Sequence, residues 1–97
     1  MKTLPQDINT ALMLDGNAVG GLLNEIFSME MTTSWAQCNH CGARGELGSL
    51  RAFMHGSGTV LRCPICDSIV IRIVQSPESN YLDLRGASFL HLAREGG

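Results

Sequence analysis

Two short stretches decide the fold: Cys38-Asn39-His40-Cys41-Gly42 and Cys63-Pro64-Ile65-Cys66-Asp67. Each carries a Cys-x-x-Cys pair, and positions 42 to 62, 21 residues, separate the pairs. Four-cysteine zinc sites place their pairs about 15–20 residues apart. The one extra residue is absorbed by the Gly-rich turn His55-Gly56-Ser57-Gly58 that lies between them. A Cys-x-x-Cys turn presents two thiolates to one edge of a metal, and a second such turn completes a tetrahedron. Each turn also wants a residue that tolerates left-handed backbone after its second cysteine. Gly42 does so freely and Asp67 at some cost. The pattern predicts metal ligation by Cys38, Cys41, Cys63 and Cys66. Redox Cys-x-x-Cys motifs sit at a strand-to-helix junction in a βαβ unit, whereas both pairs here read as lying between strands. His40, inside the first turn, is expected to point outward, because Cys41 already completes the spacing. His55 and His91 read as solvated loop and tail residues.

Outward from the cysteines the texture is that of a sheet. Thr32, Thr33 and Trp35 favour strand before the first pair. Leu47 to Met54 reads as a second strand, with Leu50, Ala52 and Met54 on one face, and Thr59 to Arg62 as a third. Ser68 to Gln75 is strongly β-branched and is expected to be the central strand. Tyr81 to Arg85 alternates as a last strand, and a short turn of helix is expected after Ala87. On the N-terminal side, Val19, Leu22, Leu23, Ile26 and Phe27 recur at i, i+3, i+4, i+7 and i+8, one face of a helix over 18–27, with Asp15-Gly16-Asn17 as its cap. Gly20 and Gly21 weaken that helix by roughly 1 kcal/mol each relative to Ala. They read either as a point of close backbone approach or, the preferred reading, as part of a short helix covering one side of its own sheet.

The strand over 68–75 offers two apolar faces: Ile69, Ile71 and Ile73 on one side, Val70 and Val74 on the other with Arg72 between them. A small sheet cannot leave both uncovered, because exposed apolar area of that kind marks interfaces or aggregation. The helix is expected on the isoleucine face, with Leu23 in the core. Val70, Arg72 and Val74 are then the expected partner surface.

Length and composition bound the function. The chain has 97 residues, 44% hydrophobic and 16% charged, which fits one small folded domain. A core of that size gives marginal stability unaided, so a metal staple has a clear role. Seven basic residues stand against nine acidic ones, a formal net charge of -2, and aromatics make up 5%. This is not the profile of a nucleic-acid-binding surface, and stacking platforms for single strands are scarce. Four thiolates with one zinc ion add a further -2. Arg44 and Arg62, beside the two pairs, are expected to screen those thiolates locally. The sequence shows neither a signal-peptide pattern nor a run of about 20 apolar residues. A cytoplasmic location is expected, where cysteines stay reduced and disulfides are rare.

The two cysteine turns resemble those of zinc ribbons, and also those of rubredoxins, which carry a single iron. The departures from rubredoxins are Asp67 where they usually have glycine, dispersed aromatics, and a shorter gap between the pairs. Leu14-Asp15-Gly16-Asn17-Ala18, Glu30-Met31-Thr32, the two turns and Leu82-Asp83-Leu84-Arg85-Gly86 together resemble an uncharacterised bacterial family of short zinc-ribbon proteins, a domain of unknown function. The resemblance implies one zinc ion per chain, iron being the alternative, held by Cys38, Cys41, Cys63 and Cys66. It implies no established activity, and it associates the chain with oxidoreductases as partners. The expected fold is small α+β: a zinc-ribbon-like antiparallel β-sheet with one N-terminal amphipathic helix. Residues 1–14 are expected to form a flexible arm, 15–86 the single domain and 87–97 a C-terminal tail.

The expected function is a non-catalytic protein-interaction or accessory module around a structural metal. The alternatives are a rubredoxin-like one-electron carrier with iron at the same cysteines, or a nucleic-acid-binding zinc ribbon. An enzyme is not expected, because four cysteines close the coordination shell that a catalytic zinc keeps open. No Ser/His/Asp set or phosphate loop stands outside that shell. A protein partner is expected and a homodimer is a further option. Nucleic-acid and membrane partners are not expected.

Overall fold

The computed structural model describes residues 13–92. The expected arm over 1–14 therefore lies outside the described residues except for its last two positions, which open strand β1 (Met13–Asp15). A 3-10 turn over Gly16–Val19 leads into helix α1 (Gly20–Phe27). The strands that follow are β2 (Trp35–Cys38), β3 (Arg44–Glu46), β4 (Arg51–His55), β5 (Gly58–Arg62), β6 (Ile69–Gln75), β7 (Asn80–Asp83) and β8 (Ala87–His91). Two antiparallel sheets result, a large one in the order β1-β4-β5-β6-β7 and a small one in the order β3-β2-β8. The protein is thus α+β, with one α-helix and two antiparallel sheets among the described residues.

The helix forms where the apolar spacing placed it. Val19 and Leu23, one helical turn apart, are fully buried, and Leu22, Ile26 and Phe27 pack against the same core. Its start differs from expectation. Asp15-Gly16-Asn17 does not cap it; the chain enters through the 3-10 turn, and Val19 stands at the cap position without a side-chain hydrogen bond. The reason is packing. The turn lies against a second 3-10 turn, Leu47–Ser49, so closely that a Cβ on Gly16 would stand 1.7 Å from the Leu47 carbonyl oxygen. Ser28 ends the helix in the left-handed conformation. Gly20 is a point of close approach, where a Cβ would stand 3.1 Å from the Thr32 methyl, whereas Gly21 faces open space.

Leu47, Leu61, Ile71, Ile73 and Met31 join Val19 and Leu23 in one core. In the large sheet, Ala52, Leu61 and Ile71 stand side by side in register on the inner face, as do Met54, Thr59, Ile73 and Leu82. Leu23 of helix α1 belongs to the same core as Ile71 and Ile73, whereas Ile69, expected on the same face, is only half-buried and stands opposite Arg62.

Several local expectations give way to tertiary pairing. The strand expected over Leu47–Met54 is broken. Leu47–Ser49 is a 3-10 turn whose backbone N–H groups go to Ser34 and Thr32 carbonyls, and the strand proper starts at Arg51. The central strand of the large sheet is β5, not β6. The register shift between Leu61 and Arg62 leaves one extra residue on β6, a bulge, so the strict alternation assumed for that strand fails there. Val70 and Ile71 are consequently both buried, each 1% exposed. Val70 is therefore core and not partner surface, while Arg72 and Val74 remain exposed. Finally, the residues after Ala87 form strand β8 rather than a helical turn. Pairing with β2 places Phe89 and His91 against Trp35, and that cross-strand contact outweighs local preference.

Candidate metal centre

The small sheet delivers the first cysteine turn and the large sheet the second. In β2 the alternation turns Ala36 and Cys38 inward, and the chain then rounds Cys38–Gly42. Across the core, β5 ends at Arg62 and the chain rounds Cys63–Asp67 before β6. The two turns repeat one backbone pattern. The Gly42 N–H donates to the Cys38 carbonyl at 2.9 Å and the Asp67 N–H to the Cys63 carbonyl at 2.8 Å. The Cys38 N–H donates to the Ala43 carbonyl at 2.8 Å and the Cys63 N–H to the Ser68 carbonyl at 2.9 Å. Gly42 at φ 82° and Asp67 at φ 66° both take the left-handed conformation that the pattern requires. For Asp67 this is uncommon backbone, stabilised by the bond its carbonyl accepts from the Arg62 guanidinium at 2.8 Å. A further N–H, from Ile65, points at the Cys63 sulfur at 3.3 Å.

The four sulfur atoms converge. The Cys38 and Cys66 Sγ atoms are 3.6 Å apart, those of Cys41 and Cys63 are 3.7 Å apart, and all four lie within 4.8 Å of one another. A tetrahedral ion with metal–sulfur bonds of about 2.3 Å spaces its sulfurs by about 3.8 Å. A disulfide would need about 2.05 Å, and all four cysteines are free thiols. The residues present thus fit a metal ion held by sulfur alone. Cys38 and Cys63 are buried, Cys66 is half-buried and Cys41 is exposed, so the cluster opens to solvent on one side only.

The thiols are not equivalent. The Ser68 hydroxyl and backbone N–H hold the Cys66 thiolate, lowering its pKa to about 6 despite desolvation. At Cys41 the Ala43 N–H favours the thiolate, but desolvation and the facing sulfurs of Cys63, Cys66 and Cys38 prevail and push the group up to about 11. Metal ligation removes the protons that these sulfurs would otherwise share.

The neighbours expected to act on the site divide. His40 is exposed, as expected for a residue between two ligands. Arg44 and Arg62 do not screen the sulfurs directly. The Arg44 guanidinium lies over the Trp35 and Phe89 rings, 5.6 and 5.5 Å from their centroids. That of Arg62 lies over Phe53 and bonds the Asp67 carbonyl. His91 is exposed, as expected, but it belongs to β8 and its ring stacks on Trp35 at 4.8 Å.

Two residues that shape the site carried no sequence signal of that role. Ser68 acts on Cys66 as described. Gly86 accepts the Asn39 N–H at 2.8 Å, while its Cα lies against β6 so closely that a Cβ would stand 1.9 Å from the Ile69 carbonyl oxygen. It thereby ties the first turn to the strand that follows the second. A cavity of about 100 Å³ backs the cluster, walled by Ala36, Leu50, Val70, Pro64, Cys38 and Cys63. Its polar lining side chains besides the cysteines are Arg44 and Ser49, and no acid–base pair faces it.

No helix among the described residues is long and apolar enough to cross a membrane. Neither a curated protein nor a solved structure was found to match the chain. A family model does match, and it covers residues 8–95, nearly the whole sequence. A chain whose four paired cysteines meet at one point and whose length is spanned by that model belongs to the family of unknown function DUF6510.

Proposed function

We propose that the chain is a non-catalytic zinc-ribbon module, in which one zinc ion bound by Cys38, Cys41, Cys63 and Cys66 pins the small sheet to the large one and holds a surface for a protein partner. The observation that carries this reading is the convergence of two equivalent cysteine turns, one from each sheet, on sulfur spacings that suit a tetrahedral ion. A sulfur-only tetrahedral set selects zinc or iron. Zinc is favoured because the fully buried core holds no aromatic side chain, unlike the aromatic-rich core of rubredoxins, and because Asp67 stands where rubredoxins have glycine. A closed four-thiolate shell leaves no position for a reactive water, and the adjoining cavity supplies no acid–base pair, which supports a structural role. Four reduced thiols suit a reducing compartment, in line with a cytoplasmic protein.

The test is metal analysis of protein purified without added metal, followed by chelation. One zinc per colourless chain is expected. Chelator, or Cys63→Ser, should abolish the native amide shifts of residues 46–75, because structural zinc contributes about 10–16 kcal/mol of apparent binding free energy in zinc-finger peptides. A red, iron-loaded protein that cycles reversibly between oxidation states would replace this reading with the electron carrier. A chelated protein that keeps its native spectrum would show that the metal is not structural.

A further inference from the structure

From the outer face of the large sheet we infer a docking site for an acidic protein surface. The inference rests on the reading of the chain as an interaction module and names the surface and the chemistry of the partner. The register fixes which residues share that face. Arg51 stands opposite Arg62, Phe53 opposite Val60, and Val60 opposite Arg72, which in turn faces Asp83. In the next row His55, Gly58, Val74 and Tyr81 lie side by side. On β4, β5 and β6 they alternate with the buried Ala52, Thr59, Leu61, Ile71 and Ile73, so they point away from the core.

Charge on the protein is segregated in a way its net value hides. Arg51, Arg62, Arg72 and Arg85 gather at this face. Asp83 stands in the same row as Arg72, and Arg85 holds it in a two-pronged ion pair at 2.7 and 3.0 Å. Arginines thus outnumber acids on one face of a chain whose formal net charge is -2. Like charges directly opposite each other, as Arg51 and Arg62 are, destabilise a sheet pair. A bound carboxylate relieves that repulsion. Between the arginines lie apolar groups with no cover among the described residues: Tyr81 is 61% exposed and Val74 37%.

The chemistry of the face selects among occupants. Arginine and aromatic residues are enriched at protein–protein contacts and lysine is depleted, and no lysine occurs among the described residues. A second copy of the chain would bring arginines against arginines. A nucleic acid would make little use of Val60 and Val74. A carboxylate-bearing protein surface with apolar side chains between its acids matches both components. Five strands about 4.8 Å apart, the longer ones about 17–24 Å in length, give a face of roughly 320–450 Å², less than the ≈ 800 Å² that a stable interface covers per partner. The contact is accordingly transient.

The experiment is an amide-shift titration of the metal-loaded, full-length protein. The probe is a synthetic 15-residue peptide alternating glutamate with leucine and tyrosine. The controls are its glutamine counterpart and a 15-nucleotide oligo(dT). The expected result is saturable shifts confined to β4–β7 with the acidic peptide, weakened by on the order of tenfold in the glutamine peptide and in an Arg51→Ser/Arg72→Ser variant. Both arginines are exposed and Arg51 faces a like charge, so the variant should melt at or slightly above the wild-type temperature. Absence of shifts, or shifts centred on Trp35 and Phe89 of the small sheet, would overturn the inference and leave the metal-pinned module standing. Tighter binding of oligo(dT) through the same arginines would make the face a nucleic-acid site instead. Mass that rises with concentration and falls in the variant would make it a self-association site. Loss of the metal reading, by contrast, would show in the chelation experiment and not here.

Discussion

Replacing Gly86 by alanine tests how firmly the two cysteine turns are tied to each other. Gly86 holds the first turn through Asn39 and presses on the strand leaving the second. An added methyl would lie 1.9 Å from the Ile69 carbonyl oxygen and 2.8 Å from the Val70 Cα, where ordinary contact begins at 3.4 Å. The obstacles are backbone atoms of a paired strand, so no side-chain rotation relieves them. Something must move by well over an ångström, while a metal site keeps its ligand distances to about 0.2 Å. The expected cost is at or above the upper end of the roughly 1–3 kcal/mol typical of overpacking, accompanied by weaker metal binding. Thermal unfolding measures the first quantity, and competition with a chromophoric chelator the second. Two controls separate the causes. Gly16→Ala meets the Leu47 backbone at 1.7 Å, among residues that are not ligands, and should lower stability while sparing metal affinity in the folded state. Gly21→Ala meets nothing within 4 Å on a helix and should stabilise by about 1 kcal/mol. A Gly86→Ala protein with wild-type melting temperature and wild-type metal affinity would refute the clamp.

Leu23, fully buried in α1, should cost about 2–5 kcal/mol when replaced by alanine, and unchanged melting would mean that the helix does not cover the sheet. Arg85 holds the Asp83 carboxyl well below the usual carboxylate range. Because that pKa is depressed, the pair's contribution is present at neutral pH and is lost as pH falls through the depressed value. Arg85→Ala should let the Asp83 carboxyl titrate at a higher pH by NMR, and with Arg85 86% exposed solvent screening should leave the melting temperature nearly unchanged. Acid should also expel the metal, since protons compete for the thiolates. Metal release and unfolding, followed together by metal indicator and circular dichroism, should form one transition below neutral pH, and a folded, metal-free plateau would refute the coupling.

The four-cysteine cluster was legible because its geometry is local. A Cys-x-x-Cys turn with a left-handed residue behind it is written in five consecutive positions, and Gly42 and Asp67 adopt that conformation. The helix was legible for a similar reason, its period being carried by Val19 to Phe27. What escaped depends on pairs distant in sequence. Nothing near Ala87 announces a strand, because β8 exists through Trp35 and Ala36 on the far side of the chain. The bulge that buries Val70 arises from its register with β5, so a reading of β6 alone assigned Val70 to the wrong environment. The arginines of the large sheet's outer face are scattered over 51–85 and look unclustered until the register stacks them.

The pairing of β2 with β8 also says something about the order in which the protein comes into being. β4, β5, β6 and β7 pair with their neighbours along the chain, so the large sheet can zip up through successive hairpins, bringing Cys63 and Cys66 into place early. The small sheet is only half served in this way: β2 and β3 pair as a hairpin around the first cysteine turn, but the other edge of β2 must wait for β8, near the far end of the described chain. Non-local closures of this kind are the slow steps of folding. During synthesis, therefore, the first cysteine turn emerges first yet acquires its full support last. A nascent chain halted before Ala87 would carry all four cysteines without the strand that steadies half of them.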